Sequence, residues 1–233
     1  MAYTASRTTA GFELVGNLMS VPDNGMEFVL TENTAFSKGD MVVLTNGKIA
    51  AAAAGATKVV GVMAETFTTT TNPDASETFG KIFTNPYNIY RCSFTGHLDL
   101  TATGGSTTTL INASLNATDN YWIGALVYVY EGTNAGCSRI VSDSDSSDGS
   151  ITVEKPFPAA IDTTSKFILL GEGTTAANLV LCPGANIDIV DANTLDSNAT
   201  NASDVGPCTI LRIYPQDLMM DVLIKNHLFN AVA

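Results

Sequence analysis

The chain has 233 residues, enough to bury a substantial core as one all-β domain or as two smaller ones. Its 23 acidic side chains outnumber 11 Lys and Arg, a formal net charge of -12, and the cations are scattered; this argues against nucleic acid as a partner and for a protein surface. No apolar run approaches the roughly 18 residues that cross a bilayer, and residues 1–16 lack an apolar signal core, so a soluble protein made in the cytoplasm, with no membrane partner, is expected.

Residues 1–25 scatter Phe12, Leu14, Val15 and Leu18 singly among Ser, Thr, Gly and Asn. That is the composition of a flexible arm, one able to add a strand to a neighbour's sheet edge. Beyond it come short runs rich in Val, Ile, Tyr, Phe and Thr, punctuated by Gly, Pro, Asn and Asp, with no 3.6-residue period sustained over a helical length. The expected fold is all-β. Strands are expected at 27–30, 41–45, 59–63, 88–94, 126–130, 138–141, 151–154, 167–170, 178–182, 208–214 and 219–224, with room for a helical turn only at 172–179 and 215–220.

The most specific local signal is Asn46-Gly47, set between residues 41–45 and 48–49. Both central positions of a type I′ turn need positive φ, so this pair predicts a hairpin. The five alanines at 50–54 favour helix intrinsically, but Gly47 and Gly55 confine them to far fewer than the roughly 12 residues a marginal helix needs. They are expected to carry the second strand into a segment of small side chains that another backbone can approach.

Composition shifts near Gly104-Gly105 and again at Gly171-Glu172-Gly173, bracketing an inserted β module at 105–173 within a domain built from 26–104 and 174–233. Alternation in the insert puts Leu126, Tyr128 and Tyr130 on one face and Val127 and Val129 on the other, which suits a small sheet or barrel-like module anchored by Trp122.

The chemistry-bearing residues point away from catalysis. Asp143 to Gly149, with Glu154 beyond, suggests a calcium loop, but Asp148 stands where such a loop requires Gly; a solvated hairpin turn is the expectation. His97 and His227 are the only histidines, too few for a histidine metal cluster, and no nucleophile elbow or nucleotide-binding glycine motif occurs. No catalytic residue, metal or cofactor is expected. Cys92, Cys137, Cys182 and Cys208 lack paired zinc spacing and read mostly as buried thiols. A bridge between Cys182 and Cys208, closing the polar loop between them, is the alternative; a reducing cytoplasm weighs against it.

Three stretches, "AFSKGDMVVLTNGKIAAAAAGATKVVGVMAETF", "NPYNIYRCSFTGHLDL" and "LMMDVLIKNHLFN", together resemble the head decoration (cement) proteins of tailed bacteriophages. The insert, with "GTNAGCSRI" and the later "VEKPFP", resembles a β module of phage structural proteins that also occurs in tail-associated ones. The resemblance implies a β-tulip-like domain and a homotrimer that binds the major capsid protein between capsomers, on the outer surface of the virion. Phe12, Leu14 and Val15 of the arm are then the expected capsid-binding residues. A tail-associated or receptor-binding accessory virion protein is the alternative reading.

Overall fold

The computed structural model describes residues 11–70, 78–171, 181, 183–197, 206–225 and 227–228. The strands are β1 (Glu13–Asn17), β2 (Met26–Val29), β3 (Ala35–Phe36), β4 (Met41–Thr45), β5 (Lys48–Ala51), β6 (Gly61–Met63) and β7 (Phe67–Thr68). Then come β8 (Phe79–Phe83), β9 (Asn88–Thr95), β10 (Leu98–Thr101), β11 (Gly104–Gly105), β12 (Thr109–Ile111), β13 (Leu126–Glu131) and β14 (Ser138–Asp145). The last are β15 (Ser150–Val153), β16 (Lys166–Leu170), β17 (Asn186–Asp191), β18 (Thr194–Asp196), β19 (Cys208–Tyr214) and β20 (Met219–Ile224). Helix among the described residues is confined to two 3-10 turns, Ala113–Leu115 and Pro215–Asp217. The fold is all-β, as the sequence implies; the expected strand at 178–182 and helical turn at 172–179 lie outside the described residues, apart from Leu181.

The first hairpin forms as its turn residues dictate. Asn46 and Gly47 have φ of 51° and 79°, and Thr45 faces Lys48 across the turn. The alanines are not helical: two finish β5, Ala52 is buried, and Ala53 forms an antiparallel bridge with Asp191. Small side chains are what let the 191–193 backbone come so near, with Met41 N–H donating to the Ala192 carbonyl at 2.6 Å.

Three sheets share the work of burial. One has the order β2-β8-β6-β4-β5, and a bridge between Leu30 and Ile49 draws its two outer strands together around Leu30, Val42, Ile49, Val60, Met63 and Ile82. Gly61 is required there, because a Cβ at that position would lie 2.0 Å from the Phe83 carbonyl oxygen. The second sheet runs β1-β9-β18-β17-β19-β20, and β20 also pairs with β9, so five of its strands close into a barrel. β9 alternates as a half-buried strand should, with Asn88, Tyr90, Cys92 and Phe94 inward and Ile89, Arg91 and Ser93 outward.

The third sheet, β10-β16-β13-β14-β15-β12-β11, is contiguous in sequence. It begins at Leu98, which pairs with Leu169, so Leu98–Thr101 belong to the insert rather than to the segment 26–104. Strand pairing sets that boundary, and composition does not register it. The two faces of β13 divide as alternation predicts. Val127 and Val129 pack into the insert's own core with Trp122, Phe157 and Phe167, while Leu126, Tyr128 and Tyr130 join the barrel's core. Trp122 is an anchor, buried with its indole N–H on the Leu115 carbonyl.

The two halves of the insert's motif interlock. Asn134 is buried; its amide donates to the Ala159 carbonyl and accepts from the Ala159 N–H. Arg139 donates to the carbonyls of Ser138, Lys155 and Pro156 and lies over the Phe157 ring. The motif therefore encodes a clamp between β14 and the loop after β15.

Candidate interaction surface

Residues 13–29 lie alongside residues 79–91 and pair with them antiparallel at both ends. Glu13 faces Arg91 and Asn17 faces Asn88 in the barrel; Met26 faces Ile82 and Val29 faces Phe79 in the neighbouring sheet. Between the paired ends, the Asn17 side chain accepts the Met19 N–H at 2.8 Å. The Asp23 carboxylate accepts from Gly25 N, Asn85 N and the Asn88 amide at 2.7–2.9 Å. This segment is fixed by its own polar contacts, which corrects the expectation of a flexible arm over residues 11–25; residues 1–10 lie outside the described ones.

The three expected contact residues differ in exposure. Phe12 is 2% exposed, with its ring edge-on to Tyr90 at 6.5 Å and its N–H on the Gly39 carbonyl. It belongs to the protein's own core. Leu14 is half-buried against the same core. Val15 alone projects, because a bulge between Leu14 and Gly16 breaks the alternation there.

What surrounds Val15 is more informative. Leu18, Met19, Val21 and Met26 are also exposed, as is Tyr87, whose carbonyl accepts the Leu18 N–H. These six residues, between 42 and 61% exposed, account for most of the exposed large apolar side chains among the described residues. Residues 14–22 carry no charge in a chain of net charge -12. β1 and β2 are each the outermost strand of their sheet; among the described residues β1 has a ladder partner on one side only, while the end of β2 is drawn to β5 by the bridge between Leu30 and Ile49. Arg91, which faces Glu13 on β1, is bidentate to Asp221 at 2.8 and 3.0 Å and stacks on Tyr214 at 4.5 Å. Of this surface, Val15 and Leu18 stand out in sequence as lone apolar residues. Met19, Val21, Met26, Tyr87 and the pinning Asp23 do not, although a charge-free run in so acidic a chain is a readable signal.

The remaining candidates have structural explanations. Among the described residues, no three His, Cys, Asp or Glu side chains are grouped to hold a metal ion. The acidic turn is tied down by its own backbone: Asp145 accepts Ser147 N, Asp148 accepts Ser150 N, and Asp119 accepts both the N–H and the hydroxyl of Ser146. β14 runs on to Asp145, so the turn itself is only residues 146–149. Cys92 and Cys208 are free buried thiols whose pKa burial pushes up; Cys182, the other half of the alternative bridge, lies outside the described residues. Burial lowers the pKa of both histidines. The His227 backbone forms a bridge to Val59, and His97 has its Nδ1 buried without a hydrogen bond. A concavity of about 310 Å³ is lined by Leu126, Ser138, Arg139, Ile140, Glu154 and Lys155, but Arg139 is already committed to backbone carbonyls.

No helix among the described residues is long and apolar enough to cross a membrane. Comparison of the chain with protein-family models, with curated proteins and with solved structures finds no match.

Proposed function

We propose that the chain is a structural virion protein that decorates and stabilises a tailed-bacteriophage capsid, binding as a trimer between capsomers of the major capsid protein. The observation that carries this reading is the decoration-protein pattern in three separated stretches of sequence. Supporting it, all three stretches contribute to one core: Met41, Ala52, Val59 and Val62 from the first, Tyr90, Cys92 and Phe94 from the second, and Met220, Val222 and Ile224 from the third. Segments that must pack together constrain one another, so a shared pattern across them speaks for a shared domain. The activity proposed needs no chemistry. It needs a stable body and a contact surface, and three weak contacts held in one trimer gain strength through effective concentration.

The test is co-sedimentation of purified protein with expanded shells of its phage that lack it, followed by imaging of the decorated particle. Saturable binding at fixed lattice positions is expected. No binding to shells refutes the reading, and density on the tail instead would transfer the chain to the tail-associated class that the insert's motif also resembles.

A further inference from the structure

We infer that the apolar edge formed by residues 13–29 and Tyr87 is where a second copy of this chain docks. The inference stands on the edge itself and does not depend on capsid binding.

The first argument is area. Six large side chains, each about half exposed, present apolar surface on the order of 500 Å², taking roughly 150–250 Å² for a residue of this size when fully exposed. A standard interface buries about 800 Å² per partner, of which roughly 56–65% is apolar, so the edge supplies about the apolar area one side requires. The second argument is charge. Two copies approach each other with formal charges of -12 each, and repulsion is least where the surface is neutral. The run at residues 14–22 is neutral throughout, and Arg91 beside it is paired with Asp221. The third is backbone. Among the described residues β1 has a strand on one side only, whereas the end of β2 is bridged to β5 through Leu30 and Ile49; natural edges are normally guarded by charge, and between Glu13 and Asp23 the edge of β1 has only its bulge and Pro22. An edge that meets the same edge of a second copy closes as a pair, whereas three copies around an axis bring it against a different surface of the neighbour.

The test is sedimentation velocity of the full chain across a concentration series, at low and high salt, with the Leu18→Asp/Met19→Asp double variant and a Leu44→Asp control. Leu44 is also an exposed leucine, 46% against 55% for Leu18, but lies on β4. Self-association that tightens with salt is expected, weakened at least 100-fold in the double variant and unchanged in the control, with all three proteins melting together. A wild-type chain that stays monomeric at high concentration overturns the inference, as does a double variant that associates normally or a control that fails equally. If the double variant still associates but no longer binds shells, the edge belongs to the shell contact and the inference is likewise overturned. A mass of two copies, abolished in the double variant, would remove the trimer from the proposed function while leaving the edge contact standing.

Discussion

Replacing Phe12 by alanine separates an N-terminal arm from a structural strand. As an arm residue, Phe12 would contribute nothing to the stability of the isolated protein. In the structure its side chain is 2% exposed, edge-on to Tyr90, and its backbone N–H reaches Gly39 at 2.8 Å. Gly11 just before it has φ of 80°, and a Cβ there would sit 2.6 Å from the Gly39 carbonyl oxygen, so the chain enters the core at close quarters. Truncation removes the transfer free energy of a buried phenyl ring and leaves a cavity, together about 3–5 kcal/mol, including roughly 0.5–1.5 for the edge-to-face contact. For a chain of this length that corresponds to a fall in melting temperature of roughly 6–20 °C. Val15→Ala, three residues on and exposed, should stay within about 0.5 kcal/mol of wild type. Urea midpoints and thermal melts of the two variants measure both. A loss below about 1 kcal/mol for Phe12→Ala would refute the reasoning, and so would a wild-type melt from a chain deleted for residues 2–20.

Other outcomes follow from the interior. Asn134→Ala takes away both the donor and the acceptor that hold Ala159, and should lower stability by about 1–3 kcal/mol in urea denaturation without altering self-association. His97 titrates below its ordinary 6.5 because burial disfavours its charged form, an effect that Asp99 opposes. The unfolded chain therefore takes up the proton first: stability should fall as pH drops through 6.5 and level off below the folded value, and His97→Gln should flatten that decline. His227, also lowered by burial, adds to the same window, so the variant removes only part of the slope. Calcium chelation should leave the melting temperature and shell occupancy unchanged, because backbone and serine groups already occupy Asp119, Asp145 and Asp148; a clear drop in either would restore an ion site.

What the sequence discloses is what local chemistry determines. The bounds of β4, β19 and β20 are readable because each is an apolar, β-branched run between turn residues, and the first hairpin because Asn-Gly favours positive φ at both positions. β17 is not, since a register shift between Ile189 and Asp191 breaks its alternation and buries Asp188 beside Ile187. β1 is hidden for the same reason, with a bulge at Val15 and a glycine following. β10 and β18 are short and polar, and exist as strands because β16 and β9 supply their partners. Phe12 meets Tyr90 across a long stretch of chain, and no short-range pattern announces such a contact. The candidate surface suffers most from this, because exposure depends on how residues 13–29 lie along 79–91.

The insert illustrates why sequence contiguity and physical independence differ. Chain connectivity makes residues 98–170 look like an appendage: one sheet, entered after Gly96-His97 and left at Gly171. Burial says otherwise. Leu126, Ile168 and Leu170 are buried in the same cluster as Tyr90, Ile187 and Val222 of the barrel, and Tyr128, Tyr130 and Ile140 pack against it. Separating the two would expose three buried aliphatic side chains on the insert alone, at roughly 1.5–3 kcal/mol each, before the barrel's matching surface is considered. Two chain crossings cannot hold open a gap against that driving force. The barrel and the insert therefore share one core, and the edge at residues 13–29 is anchored to the barrel side of that core through β9.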